Sequence, residues 1–594
     1  MNTAAYESRT PLRKPNDGSG GQPRRPNSGP FSLKPLDAMF DATSRTSLGE
    51  SLNLDINDSG NLLDRHLSLL DLVLVGIGGT IGSGLFVLCG LVAHEYAGPA
   101  TAISWALSGF AACVSGCCYA EMASQVPAAG SAYTYAYVAM GELFGVLAAA
   151  CLSLEYMMAA SAVARSWADK VALYLIQELP DGHWIQSYLQ PDLGYTSPLA
   201  FAMSTASVLL LLSGVHQTKA ATNCLTLVKI GLVLYMIVVG FSFVHPSNWT
   251  PFIPPQFGVA NVIRGSTATF FGYLGYDEVC QLAGEAKDPK RNLPIAIMTT
   301  LGGVTLLYIT AALVLTGMQP FADVSSVSGF PVAFRANGNL VAARIAALGE
   351  ITTLPVVVIL TMMGQPRLQY ALANDGLLPS WFGLVDGNGN FINGTLFCGI
   401  VCIVLATFIP FSHLNDMISA AVLTALNITD TSLVALWYDS PPESPYLTER
   451  FLVVFHFACL SACLLLTRCL NTTWGSLFFV VSALVAFICM IGVFQFCPKN
   501  DVFGGNRRRK DTQTSEQGYF RTPFLPFWPC AGVFINWYLI AQLELIGTLG
   551  MLGFLVVVTV VYLAFGRKGS VGNRDDWNGA PVFPNEHTLL IHSG

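Results

Sequence analysis

Charge is what this chain has least of. Asp, Glu, Lys and Arg make up 11% of its 594 residues, while hydrophobic residues make up 53% and the mean hydropathy is +0.52. So apolar a composition excludes an ordinary soluble globule. The net charge of −7 comes with no basic stripe carrying interleaved aromatics, so no nucleic-acid partner is expected. The fifteen cysteines form no CxxC pair, which argues against a metal or disulfide framework. Cys113 and Cys117, Cys398 and Cys402, and Cys459 and Cys463 are each four apart, a spacing that puts two small residues on one helix face for close helix approach. No nucleophile, metal cluster or phosphate loop stands out, so neither enzymatic activity nor a cofactor is expected.

Long apolar runs are abundant. A membrane span needs roughly 20 mostly apolar residues, and fourteen such runs are read at about 70–92, 99–121, 141–163, 198–214, 222–244, 260–282, 295–318, 340–363, 395–411, 416–437, 451–470, 474–496, 527–544 and 547–565. The expectation is an all-α integral membrane protein. Ahead of the first run lies a Pro-, Ser- and Gly-rich stretch, "PNDGSGGQPRRPNSGP", without the apolar core of a signal peptide. It is too polar to bury a core and is expected to be a disordered tail over residues 1–66.

The basic residues set an orientation. An even number of spans puts both tails on one side, shared by "EAKDPKRNLP", "NRRRKD" with Arg521, and "GRKGS". The positive-inside rule makes that side cytoplasmic. Two opposite loops carry the acceptor sequons Asn248-Trp249-Thr250 and Asn471-Thr472-Thr473, in agreement.

An ionisable group inside a span costs about 2.5–3.5 kcal/mol on insertion scales, so each one needs a reason. Lys229, in "TLVKIGLVLYMIVVG", and Glu155, in "LSLEYMMAAS", lie within expected spans. Lys229 reads either as a lysine that snorkels to the inner surface or as a buried amine that takes and releases a proton. Glu155 reads either as half of a structural ion pair or as a partner in that proton traffic.

Glycine then interrupts two spans. In "GIGGTIGSGLFV", Gly76 to Val87, five of twelve residues are glycine, and "FFGYLGYDEV" sets Gly272 and Gly275 before Asp277. Glycine costs roughly 1 kcal/mol against alanine inside a helix, so these are places where a helix opens. One such span alone reads as close helix packing; two, five spans apart, with a buried Lys and Glu in the same series, point to an inverted-repeat transporter. Opened helices expose amides for a carboxylate at one half-helix end and carbonyls for a cation at another. An α-amino acid carries both groups.

At these residues the chain resembles the cationic amino acid transporter family of the amino acid, polyamine and organocation superfamily, from about Leu69 to Phe565. The motifs are "GIGGTIGSGLFVLCG", "CYAEMASQVPAAGSAYTYAYVAMGELFG", "SAVARSW", "FFGYLGYDEV", "EAKDPKRNLPIAI" and "GQPRLQYALANDGLLP", and "LPFWPCAGVFINWYLIAQL" resembles the thirteenth span of the fourteen-span branch. The resemblance implies a LeuT-type core of two inverted five-helix repeats over 67–440, four further spans over 441–566 and a cytoplasmic tail over 567–594. It implies that Gly82, Ser83 and Gly84 offer amides to the substrate carboxylate, with Ile77 and Gly78 beside them in the substrate site. Phe271, Gly272 and Leu274 would offer carbonyls to the amino group, and Tyr276 and Phe270 would be gate or packing side chains. Lys229 and Glu155 match the positions of proton-linked members.

The implied activity is uptake of L-amino acids, cationic ones such as arginine, lysine and ornithine, coupled to protons by alternating access. Protonation of Lys229 would release its contacts to the backbone around Gly78 to Gly82 and let the first span tilt. A proton-independent exchanger or uniporter, or a transporter-like amino acid sensor, are the alternatives. The family often has two adjacent acids after the sixth span, where this chain keeps Glu285 and has Gly284. Glu350 and Pro355 stand in the eighth span where small residues are usual, and Glu350 reads either as a helix cap near the outer surface or as a partner for a cationic side chain. "EHTLLI", Glu586 to Ile591, fits an acidic dileucine sorting signal, so the membrane expected is the plasma membrane or a vacuolar or endosomal one.

Overall fold

The structure, a computed structural model, describes residues 67–570 apart from 83, 127–129, 180–195, 214–218, 284, 387–389, 470–471, 501–519, 544 and 568–569. The expected tails, Ser83, Asn471, "NRRRKD" and "EHTLLI" therefore lie outside the described residues. Helices run as α1 (Leu69–Thr80), α2 (Cys89–Val92, set between π-helical turns Gly84–Leu88 and Ala93–Ala97), α3 (Thr101–Gln125), α4 (Ala132–Met140), α5 (Glu142–Glu178) and α6 (Pro198–Leu212). They continue as α7 (Lys219–Phe241), α8 (Gly258–Phe270), α9 (Glu278–Gln281), α10 (Pro289–Met318), α11 (Gly329–Ala336) and α12 (Leu340–Asn374). The last six are α13 (Ile392–Phe408), α14 (Phe411–Trp437), α15 (Leu447–Arg468), α16 (Thr473–Phe496), α17 (Phe527–Gln542) and α18 (Leu545–Val561).

Among the described residues the protein is helical, with two isolated β-bridges, Leu67 to Ala286 and Tyr438 to Lys499. Nine described helical runs are long and apolar enough to cross a bilayer, and α6 and α13 are shorter apolar helices. This is the architecture of a polytopic membrane protein.

The runs expected at 70–92 and 260–282 are each broken near their middle, where glycine was expected to open them, whereas the run expected at 141–163 continues to Glu178. At 1.5 Å per residue, the 37 residues of α5 extend about 55 Å, well beyond the ~30 Å hydrocarbon layer. The helix α4 had no counterpart among the expected spans.

The helices sort into an inner and an outer set. In its most apolar window α14 is 83% buried in protein, whereas Leu549–Gly566 is 11% buried. Phe457, Trp474, Phe478, Ile488 and Phe565 point outward, as side chains solvated by lipid do. Close packing of the inner set uses small residues: a side chain on Gly116 of α3 would overlap Leu301 of α10, and one on Gly399 would meet Val208 of α6. In the loop after α7, the Asn248 amide donates to the Gly317 carbonyl at 2.8 Å, so this sequon's acceptor nitrogen is already engaged.

Candidate functional site: two crossed helix breaks

The first break begins from a well-anchored helix. Ser68 and Asp71 form a reciprocal capping box at the start of α1, and Asn223 of α7 donates to the same carboxylate at 2.7 Å. The helix stops because Ile81 turns extended, at φ −75° and ψ 101°, and the chain resumes helical turns only at Gly84. The second break follows α8. A 3-10 turn at Phe271–Tyr273 leads to extended Leu274, and Gly275 adopts φ +108°, a conformation that disfavours any residue with a Cβ.

The two breaks touch through glycine. A Cβ on Gly84 would overlap the Gly272 backbone, and one on Gly275 would stand 2.7 Å from the Gly79 carbonyl carbon and 2.8 Å from the Thr80 nitrogen. Helix endings leave carbonyls without intrahelical donors; here the last helical bond serves Ile77 O, and side chains from neighbouring helices serve Gly78 O and Thr80 O. Ile77 O accepts from the Ile81 amide at 2.9 Å, Gly78 O from Lys229 Nζ at 2.7 Å, and Thr80 O from the Tyr308 hydroxyl at 2.8 Å. The same hydroxyl stands 2.9 Å from Gly272 O, so Tyr308 of α10 bridges the two breaks.

Between the breaks lies a cavity of ≈ 30 Å³, room for a water or two. Anything larger enters only if its walls part. Gly79, Thr80, Gly82 and Gly84 at the first break and Phe271, Leu274 and Gly275 at the second form one side; Glu155, Tyr156, Ala159 and Val163 of α5 and Val357 and Thr361 of α12 form the other, and Glu278 completes it. Two acidic residues thus line a space whose other walls are glycine, apolar and hydroxyl-bearing residues. Neither is in an ion pair among the described residues. Asp277, beside Glu278, accepts from the Tyr156 hydroxyl at 2.7 Å.

Adjacent glycines of α1 meet opposite charges. Thr226 of α7 lies where a side chain on Gly78 would go, and Glu278 Oε2 would be 2.7 Å from a Cβ on Gly79. Lys229, 1% exposed, reaches Gly78 from the α7 side, with Glu278 the carboxylate whose charge acts on it. No carboxylate comes within 4 Å of its amine among the described residues.

A second buried lysine holds the half of the same span that follows the break. Lys170 Nζ donates to Phe86 O at 2.9 Å and Val327 O at 2.8 Å and pairs with Glu350 Oε2 at 2.6 Å. Glu350 therefore neither caps α12 nor faces the cavity; it is taken up by Lys170. At the opposite end Leu67 pairs through its backbone with Glu285 and Lys287, and Arg367 reaches Glu285 at 3.1 Å. The single acid left in that loop thus has its partner on α12.

Of the residues singled out in sequence, Gly82, Gly84, Phe271, Leu274 and Glu155 line the cavity. Gly78, Gly272 and Lys229 stand one layer behind it, in the contacts that hold the breaks. Ile77 supplies a helix-ending carbonyl, Phe270 is buried at the end of α8, and Tyr276 packs edge-on against Tyr119, away from the cavity lining. Glu278, Tyr308 and Lys170 are not singled out by the sequence. Glu278 sits inside "FFGYLGYDEV" itself, where an acid next to Asp277 in an apolar run was signal enough. Lys170 was hidden by ending the third span seven residues too early.

A polytopic helical protein with two crossed, glycine-opened spans around a small polar cavity has the form of a membrane transporter. Residues 67–499 match the amino acid permease family, and residues 520–570 match the C-terminal segment of that family. The chain is 35% identical over 448 residues to the methylthioribose transporter of Bacillus subtilis, covering 73% of this chain and 95% of that protein. It is 29% identical over 575 residues to the vacuolar cationic amino acid transporter 4 of Arabidopsis thaliana (88% and 95% covered). It is 32% identical over 537 residues to that plant's chloroplastic cationic amino acid transporter 9 (88% and 91% covered). The chain belongs to the amino acid permease family, within its cationic amino acid transporter group.

Proposed function

We propose that this protein is a proton-coupled secondary transporter of cationic L-amino acids. The observation that carries the reading is the cavity itself: opened backbone from two spans on one side, and on the other the carboxylates Glu155 and Glu278, in no ion pair among the described residues. A zwitterion's carboxylate suits the amides after the first break, its amino group suits the carbonyls of the second, and a cationic side chain suits the two acids. The order of the helices is consistent with two five-helix repeats, 67–440, followed by four further spans, 441–566, with both tails cytoplasmic. The relatives named for vacuolar and chloroplastic membranes favour an internal membrane as readily as the cell surface.

In this reading coupling runs through Lys229. The break at Ile81 strips Gly78 O of its helical donor, and the lysine amine replaces it. Protonation adds a full charge on which Glu278 pulls, loosening the hold on Gly78 and freeing the first half-helix to tilt. Because the cavity holds only water-sized molecules, substrate entry and tilt are one event.

Reconstitution tests both parts. A pH gradient, inside alkaline, is expected to drive arginine accumulation by the natural protein, and Lys229→Met is expected to abolish accumulation while leaving counterflow of labelled arginine. Undiminished proton-driven uptake by Lys229→Met overturns the coupling assignment. One relative favours a second reading, since it is named for methylthioribose, a neutral thiosugar. A panel of arginine, lysine, ornithine, alanine, glutamine and methylthioribose at two pH values separates the two.

A further inference from the structure

The inner end of α5 carries a buried carboxylate that the transport site does not use. Glu142, 1% exposed, is reached by three hydroxyls from three segments. Its Oε1 accepts from Tyr562, at the end of the last helix, at 2.8 Å; its Oε2 accepts from Tyr137 of α4 at 2.8 Å and from the Ser570 hydroxyl. The Ser570 amide also donates to Gly566 O at 3.1 Å, four residues back, and this last described residue is packed against the bundle, 2% exposed. No ion pair to Glu142 occurs among the described residues.

The clasp adjoins elements that reach the transport site. The Gly130 amide, just ahead of α4, donates to Gln281 of α9 at 3.1 Å, and Tyr133 of α4 bonds Asp375 at the end of α12. Ser570 also has a legible sequence context. It follows Arg567 and Lys568 at the third and second preceding positions, in "GRKGS", the arrangement of basic residues that basophilic serine kinases read through their acidic substrate grooves.

We propose that Ser570 is a phosphorylation site and that its modification releases the C-terminal segment from Glu142. A kinase would transfer the γ-phosphoryl group of ATP to Oγ: the bond from γ-phosphorus to the bridging oxygen breaks, an Oγ–P bond forms, ADP leaves and the hydroxyl proton passes to the kinase's base. The hydroxyl that donated to Glu142 is then a phosphate ester of about −1.5 to −2 charge, set against a buried carboxylate with no cation paired to it among the described residues. Like charge and lost donation act together, so the docked arrangement gives way. Being buried when docked, Ser570 is modified from the undocked arrangement and the phosphate then prevents return. In the cell this rests on the cytoplasmic placement of the tail.

The test uses the purified full chain in detergent, where both faces are accessible and no transport is measured, so that its outcome is separable from that of the transport reading. The protein is incubated with the catalytic subunit of a cyclic-AMP-dependent kinase and Mg-ATP, and modified peptides are mapped by mass spectrometry. Phosphate on Ser570 is expected, and faster modification of Tyr562→Phe, which weakens the clasp while keeping Glu142. Limited trypsin digestion then reads release: cleavage after Arg567 or Lys568 is expected to quicken at least about tenfold in the phosphorylated protein and in Ser570→Glu, with Ser570→Ala close to the unmodified rate. No phosphate on Ser570 in either the natural chain or Tyr562→Phe overturns the proposal. So does phosphorylation that leaves cleavage unchanged, or Ser570→Ala cleaved as fast as Ser570→Glu.

Discussion

Two lysines grip the same interrupted span, one on each side of its break, and they are held in opposite ways. Lys229 offers its amine to one carbonyl, Gly78 O, with no carboxylate in ion-pair contact among the described residues. Lys170 has two carbonyls and the Glu350 carboxylate, a full set of acceptors for an ammonium. Both are almost wholly buried. A buried ammonium with every donor used is fixed in its site, whereas one with donors to spare is poised to change partner or charge. The half of the span after the break is therefore latched and the half before it is held lightly.

The largest expected effect breaks the latch. Lys170→Met leaves Glu350 buried without its cation, and removing one member of a buried pair costs about 3–5 kcal/mol. Thermal unfolding in detergent should show a drop of that order, with Lys170→Met/Glu350→Met recovering most of it. A single variant as stable as the natural protein would remove the contrast with Lys229.

Next in size is the crossing of the two breaks. Gly84→Ala places a methyl group on the Gly272 backbone, which has no flexible side chain to yield. Overpacking of this kind costs about 1–3 kcal/mol, and here it also forces apart the walls of the cavity in which the proposed transport site lies. Uptake is expected to fall to background while the protein remains folded and membrane-inserted. Uptake at the natural rate would show that the breaks need not approach so closely.

Lys229→Met should cost less in stability than either. It strands no carboxylate in ion-pair contact and loses one hydrogen bond, to Gly78 O, worth about 0.5–1.5 kcal/mol before the apolar replacement offsets part of it. The comparison sharpens because function is expected to reverse the order. A melting loss equal to that of Lys170→Met would mean that Lys229 is a second latch and not a mobile partner.

How much of this was legible in the sequence depends on distance along the chain. The first break was legible because five glycines in twelve residues are costly in any helix, whatever packs on it. Lys229 was legible as an ammonium in an apolar run. Its acceptor, 151 positions away, follows from the break itself, since an opened helix leaves carbonyls for a neighbour to satisfy. The latch was not legible: Lys170 and Glu350 are 180 positions apart, and hydropathy ended the third span before Lys170 because Arg165 and Asp169 interrupt the apolar run. The helix continues there because α12 and the loop before α11 supply polar partners, a fact of packing and not of pattern. α4 was missed for a related reason. Its face of Tyr133 and Tyr137 has no membrane-length run, and it is held by Asp375 from a distant helix and by Glu142 at the start of the next one.

The smallest effect tests the other end of the span. Arg367 and Glu285 form an ion pair at 3.1 Å with side chains 18% and 14% exposed, and the backbone of Leu67 already bonds Glu285 and Lys287 independently of it. Water reaches this pair, so its net worth is about 0–1 kcal/mol. Arg367→Gln is expected to leave the melting temperature within about 2 °C of the natural protein, while making a cysteine placed at Leu67 react faster with a membrane-impermeant thiol reagent applied from the inner side. A backbone ladder reinforced by a pair that water reaches can open repeatedly at small cost, which a fully buried latch cannot do. If Arg367→Gln destabilised the protein by the same amount as Lys170→Met, the closure before the break would be held no less firmly than the latch after it, and the lightly held half of the span would have to be sought elsewhere.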